Sequence, residues 1–237
     1  MLKDVNQLCK DLVAHADPAK AEGMKKFFKT GKGAYGHGDR FLGVTVPQQR
    51  SIVKHYLHLS LKDISFLLNS PTHEERLTAV LILVAQFKKA DPKGRKAVYE
   101  FYLKKAARIN NWDLVDASAY HIVGSYLDGK PHDILFKLAR SSNLWKRRIA
   151  IVASFHNICK RKSEPTLIIA GMLLKDKQEL IHKAVGWMLR EVGKRVGMDV
   201  LEDFLCRKYK HMPRVMLRYA IERLPEQRRK EYLQAEI

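Results

Sequence analysis

Thr72-His-Glu-Glu-Arg-Leu-Thr-Ala-Val-Leu-Ile-Leu-Val-Ala-Gln-Phe87 is the stretch that decides the fold. Thr72 is an N-cap residue type, and the apolar positions after it run around most of a helical surface, the pattern of a deeply buried helix. Ala79 within it has counterparts at Ala117, Ala150 and Ala184, each in a helical stretch with similar apolar neighbours, at separations of 38, 33 and 34 residues. That period suits stacked helix pairs of the HEAT or armadillo kind, whose curvature makes a concave groove. The units match one another poorly in sequence, so a helical bundle stands as the alternative.

Working outward, residues 3–15 and 18–29 read as helices, the second capped by Asp17 with Pro18 at its first position. Helices at Pro47–Leu57 and Leu61–Leu68 lead into the deciding stretch, and another runs from Pro92 to about Ile109. Asn111 caps a pattern in which Leu114, Val115, Ala119, Ile122 and Val123 recur at helical steps. A turn at Asp128–Pro131 and a short helix follow, then Asn143–Cys159, Glu164–Leu174, Gln178–Val196, Val200–Tyr209, Pro213–Leu224 and Pro225–Ala235. No stretch alternates convincingly with period two. The chain therefore reads as all-α and as a single domain over residues 1–237.

Between helices, Gly31 to Gly43 uses five of the chain's 13 glycines. Gly31-Lys-Gly-Ala-Tyr-Gly36 formally matches GxGxxG, but it follows no strand and no βαβ unit surrounds it, so a dinucleotide site is disfavoured. A flexible helix-to-helix loop is the plain reading. Lys32, Tyr35, His37 and Arg40 leave open a loop that touches a nucleic-acid backbone.

The 237 residues carry 44 Lys and Arg against 25 Asp and Glu, a net charge of +19, which favours a polyanionic partner. The longest largely apolar run, Leu77 to Phe87, is far short of a bilayer span. The N-terminus lacks a continuous apolar signal core. Cys9, Cys159 and Cys206 are odd in number and widely spaced, which fits a reducing compartment. A cytoplasmic protein is the expectation, monomeric and without membrane partner, metal or other cofactor. His73-Glu-Glu-Arg-Leu lacks the second His of a zincin motif, His55 and His58 have no companions to complete a metal site, and there is no GxSxG elbow.

Chemistry concentrates at Asn111-Trp-Asp-Leu-Val-Asp-Ala-Ser-Ala-Tyr120. Trp112 and Asp116 are four apart and share a helical face, pairing an aromatic surface with a carboxylate. Such a pair can hold a sugar and stabilise a cation developing on it; the plainer reading, which these ten residues alone favour, is a core Trp beside an acidic residue that complements the helix dipole. Further on, Lys183, Trp187, Arg190 and Lys194 fall at steps of four, three and four, a basic and aromatic stripe suited to tracking a nucleic-acid backbone or an ordinary solvated face with one Trp at its edge. Arg148, three residues after Trp145, has the fork to grip a phosphate.

Together, Trp112-Asp-Leu-Val-Asp116, Asn143-Leu-Trp-Lys-Arg-Arg-Ile-Ala-Ile151 and Lys183-Ala-Val-Gly-Trp-Met-Leu-Arg-Glu191 resemble the AlkD-type family of DNA alkylation-repair glycosylases, and Phe41-Leu-Gly-Val-Thr-Val-Pro-Gln-Gln-Arg50 is similar to the approach to that family's third helix. The resemblance spans most of the chain. It implies a right-handed superhelical solenoid of HEAT-like pairs whose basic concave groove holds duplex DNA. It implies hydrolysis of the N-glycosidic bond of cationic alkylpurines such as 3-methyladenine and 7-methylguanine, without flipping of the base. It assigns Asp116 as the catalytic carboxylate, Trp112 and Trp187 as the aromatic pair at the lesion's deoxyribose, and Arg148 as a phosphate ligand. Lys183, Arg190 and Lys194 are expected on the DNA with them. Phe27 falls where some members carry a Tyr that approaches the DNA. Some relatives lack the carboxylate and the activity, so a non-catalytic HEAT-repeat DNA binder is the rival, and a protein-binding scaffold is disfavoured by the charge.

Overall fold

The computed structural model describes residues 2–235, with the side chain of Leu2 undescribed. Among the described residues the elements are helices, and the one β-type pairing is a single parallel bridge between Arg40 and Thr72. No described helix is long and apolar enough to cross a membrane. The chain divides into two compact units, Met1–Ser118 and Ala119–Ile237.

The first unit holds α1 (Leu2–Ala14), α2 (Pro18–Phe27), α3 (Val46–Val53), α4 (Leu61–Leu68), α5 (His73–Lys89), α6 (Pro92–Lys104) and α7 (Trp112–Asp116). The deciding stretch is α5. It packs against α1, α3, α4, α6 and α7 and buries residues on every side, Leu77, Ala79, Val80, Ile82 and Leu83 among them. Such a helix leaves no face for solvent, so the polar side chains of its first turns are buried too and each needs a partner. The Glu74 carboxylate, 1 % exposed, accepts the backbone N–H of Leu42 (3.0 and 3.1 Å), Gly43 (2.8 Å) and Val44 (3.3 Å). This gathers the loop before α3 onto the start of α5. Gly43 is indispensable there: its φ is +84°, and a Cβ would lie 2.1 Å from the carbonyl oxygen of Asp17.

The second unit holds a π-helical turn at Tyr120–Gly124, then α8 (Asp133–Ala139), α9 (Leu144–Ala153), α10 (Phe155–Cys159), α11 (Glu164–Leu173), α12 (Glu179–Arg195), α13 (Met198–Lys208), α14 (Arg214–Ala220) and α15 (Glu226–Gln234). Here α12 takes the central place and packs against α9, α10, α11, α13 and α14. Gly186 permits the close crossing with α14, since a Cβ there would meet the Met216 carbonyl oxygen at 2.4 Å.

Two helices expected to be continuous are broken, and both breaks fall at a buried serine. The Asn111 helix stops at Asp116, where the Ser118 hydroxyl donates to the Leu114 carbonyl (2.6 Å) and bonds the Tyr102 hydroxyl (2.8 Å). The expected Asn143–Cys159 helix divides at Ser154, whose hydroxyl donates to the Ile151 carbonyl (2.7 Å) and accepts from Thr166 (2.9 Å). A hydroxyl that bonds the carbonyl three or four residues back competes with the helical ladder and bends it. The expected helix to Thr30's neighbour Lys29 also ends early, at Phe27, with Lys29 at φ 52°. The turn separates the two phenylalanines: Phe28 is buried and Phe27 is 65 % exposed.

Replacing Glu74 with Ala leaves three backbone N–H groups without their acceptor. At about 1–3 kcal/mol for each buried group, a loss of roughly 3–5 kcal/mol is expected in urea unfolding. Glu74→Gln, which keeps an acceptor oxygen, should lose clearly less; equal losses would remove the carboxylate from this role.

Candidate functional site

Asn111 begins α7 as its N-cap, its side-chain oxygen accepting from the Trp112 N–H at 2.8 Å. Trp112 and Asp116 open and close this five-residue helix, and both are half-buried. Burial raises the Tyr102 hydroxyl above its usual range, and the charge of Asp116 adds to that shift.

The Trp112 indole stands on an aromatic stack. Phe28 lies against it nearly parallel, centroids 5.4 Å apart, and exposed Phe27 meets it edge-on at 5.8 Å. Phe28 stacks in turn on Phe41 (5.2 Å), and both contact the His73 ring at 4.7 Å. The fused packing fixes the plane of the indole.

His73 ties this stack to a polar network. Its Nε2 is 2.7 Å from Asp113 Oδ2 and its Nδ1 is 3.3 Å from Asp39 Oδ2. Carboxylates only accept, so both ring nitrogens donate and the ring is an imidazolium. Asp113 also accepts the Leu114 N–H (2.9 Å). Asp39 is paired with Arg76 (2.7 Å) and takes a bond from the Asn111 amide (3.3 Å). Burial of His73 works against its charge, but the hydrogen bonds to Asp113 and Asp39 outweigh it and raise the pKa to about 9. Burial likewise opposes the Asp39 carboxylate, and His73 and Arg76 hold it below the ordinary range. No motif signals this network: His73 lacks the second His of a zincin motif, and its partners stand 34 and 40 residues away. The one signal was the acidic residue next to Trp112 in the sequence.

In the second unit, Lys183, Trp187, Arg190 and Lys194 all lie on α12. Trp187 is half-buried and packs on Phe155 (6.2 Å), over which the Arg195 guanidinium sits at 5.1 Å. The cations of the stripe differ in commitment. Lys183 pairs with Glu179 (2.6 Å), Arg190 pairs with Glu222, and Lys194 is exposed. Arg148 on α9 is only 5 % exposed and donates from Nη1 to the Leu180 carbonyl at 2.5 Å. Trp145, three residues before Arg148, is buried. Neighbouring Arg147 is held by Asp176 (2.5 Å) and by the carbonyls of Ser141 and Ser142. Phe27, Trp112 and Asp116 lie in the first unit, where Phe27 touches Trp112, and Arg148, Lys183, Trp187, Arg190 and Lys194 lie in the second.

The glycine loop is less free than its composition implies. Turns at Gly31–Ala34, Ala34–His37 and Gly36–Asp39 carry it, and Arg40 exchanges backbone bonds with Pro71 and His73.

A family model described as DNA alkylation repair enzyme matches residues 8–224. Among solved structures, a predicted DNA alkylation repair enzyme from Enterococcus faecalis is similar with a TM-score of 0.67 at 18% identity, covering 90% of this chain and 98% of that one. AlkD2 from Streptococcus mutans has a TM-score of 0.55 at 18% identity, with 93% and 97% covered. The smu.31 protein of Streptococcus mutans UA159 has a TM-score of 0.52 at 18% identity, with 74% and 89% covered. At this identity the likeness is one of fold. No curated protein matches.

The His73 shift carries a stability signature. A pKa raised from about 6.5 to about 9 contributes stability that is fully present below pH 6.5 and is lost as pH rises through 9. The stability advantage of wild type over His73→Gln should therefore shrink by about 3 kcal/mol between pH 6 and pH 10 in urea melts. A pH-independent difference would mean that the ring is not charged in the folded protein.

Proposed function

The chain belongs to the DNA alkylation repair enzyme family, and from that premise we propose that it is a monofunctional DNA glycosylase that hydrolyses the N-glycosidic bond of cationic alkylated purines, such as 3-methyladenine and 7-methylguanine, in duplex DNA. The observation that carries the reading is α7: a carboxylate, Asp116, one turn from an indole, Trp112, whose plane is fixed by packing.

An N3- or N7-alkylated purine already bears positive charge and leaves as a neutral base, so no general acid is needed. Cleavage moves positive charge onto the deoxyribose. Asp116 stabilises this oxocarbenium-like state electrostatically and orients the attacking water. An indole face, such as Trp112 or Trp187 carries, favours a cationic sugar. The His73 imidazolium, which shares Phe28 with Trp112, does not serve as an acid for neutral lesions, because both its nitrogens are bonded to carboxylates. Selectivity for cationic lesions follows. Chemistry directed at the sugar is compatible with a base that stays in the stack, unlike that of most base-acting enzymes.

In this reading the protein is monomeric and cytoplasmic and binds duplex DNA; the family model covers residues of both units. Lys194, Lys183 and Arg190 meet the phosphates, the latter two in competition with Glu179 and Glu222. Arg148 serves a phosphate while sharing its guanidinium with the Leu180 carbonyl. Phe27 offers an exposed ring beside Trp112 without a hydroxyl. No cofactor or metal enters the mechanism.

The test is release of free base from duplex DNA containing 7-methylguanine. Wild type should release it, and Asp116→Asn should be slower by about 10²–10³-fold or more with DNA affinity retained. Equal turnover would remove Asp116 from the mechanism. Absence of release by either protein across cationic lesions, with DNA binding intact, would leave a non-catalytic reader of unusual duplex shape. Trp187→Ala should slow base release more than it weakens binding to undamaged duplex; an unchanged rate would make Trp187 a packing residue. Binding itself should weaken steeply with salt, the slope of log K against log salt being about −0.9 per phosphate neutralised.

A further inference from the structure

The polar network under Trp112 has no part in the mechanism above, yet it fastens the helix that carries both first-unit groups. α7 is five residues long, too short to be rigid by itself. Its first turn is held from three directions. Asp113 bonds His73 on α5, Asn111 bonds Asp39 in the glycine-rich loop between α2 and α3, and Trp112 stacks on Phe28, which rests on the His73 ring. His73 is common to two of these and reaches the third through Asp39.

We infer that His73 is a positioning residue for the proposed glycosylase: by donating one hydrogen bond to Asp113 and one to Asp39, it fixes the bearing of the Trp112 indole and of the Asp116 carboxylate. The inference rests on the glycosylase reading for its catalytic consequence, and on geometry alone for its structural one. His73 touches no substrate. It is 2 % exposed, and its ring is enclosed by Phe28 and Phe41. The charged groups that face it are Asp113 from α7, Asp39 from the loop and Arg76 from its own helix; Glu74, beside it, is engaged with the loop backbone. The two carboxylates favour the charged ring and Arg76 opposes it. When the ring loses its proton, one nitrogen becomes an acceptor facing a carboxylate, and one arm of the clamp turns from attraction to repulsion.

The experiment has two arms. In the first, single-turnover release of 7-methylguanine is followed from pH 6 to pH 9.5 for wild type, His73→Gln and Asp113→Asn, after subtraction of uncatalysed release; titration of the lesion is common to all three. Asp113→Asn should move the alkaline limb down by about one pH unit relative to wild type, because one of two carboxylates supporting the charged ring is gone. His73→Gln should lack that limb and run about 10–100-fold slower at pH 7, the scale of a small misplacement of reacting groups, with DNA affinity unchanged. Limbs that coincide in wild type and Asp113→Asn, or a wild-type rate in His73→Gln, would overturn the inference.

The second arm uses NMR of the free wild-type protein, with the indole N–H resonance of Trp112 assigned through Trp112→Phe. That resonance should shift with the same midpoint as the His73 ring. A Trp112 resonance indifferent to His73 in the folded protein would overturn the positioning role. If wild type releases no base at any pH, the glycosylase reading fails on its own, and this second arm alone decides whether His73 positions α7.

Discussion

The first unit depends on how the polar start of an otherwise apolar helix is satisfied. α5 is buried on all sides, so His73, Glu74 and Arg76 enter the interior with it. Three charged side chains at one buried helix end would be untenable without partners. Each finds at least one partner in a segment distant in sequence: Glu74 in the backbone of Leu42–Val44, His73 in Asp39 and Asp113, Arg76 in Asp39, with the nearby Ser70 carbonyl besides. The requirement to satisfy α5 is thereby what orders the glycine-rich loop and sets α7 in place. A constraint of stability and a constraint of the site are the same set of bonds.

The net charge of +19 is likewise only partly available to a partner. Arg76 neutralises a buried carboxylate, Arg147 is locked on Asp176, and Arg148 is spent in part on the Leu180 carbonyl. Within the α12 stripe, Lys194 is exposed whereas Arg190 and Lys183 carry acidic neighbours. Exposed ion pairs are weak, on the order of 0–1 kcal/mol, so a phosphate can exchange for Glu179 or Glu222 at small cost. The buried pairs are another matter, and they belong to the fold.

Second-unit aromatics follow the same logic as those of the first. Trp187 is not an isolated indole on a helix face; Phe155 backs it, with Arg195 over the Phe155 ring. Arg195 is itself held by Glu191, buried on α12. Each candidate tryptophan thus rests on a phenylalanine that no motif identifies. An indole supported in this way presents a defined plane, which a sugar-facing role requires.

From the sequence alone the all-α class, most helix positions, the central burial of α5 and the family were legible, because apolar periodicity and capping residues are local signals. So was the shared helix of Trp112 and Asp116, since four-residue spacing needs no tertiary information. The breaks at Ser118 and Ser154 were not legible: a serine bends a helix when its hydroxyl is driven onto a carbonyl by burial, and burial is a property of the packed chain. Nor was the clamp of His73 between Asp39 and Asp113, whose partners stand 34 and 40 residues away. Spacing of that length carries no geometric meaning until helices pack. The sequence determined which residue types could act and on which helices they ride; only the tertiary structure decided which charges are spent inside and which face outward, because desolvation and pairing exist only once the chain has folded.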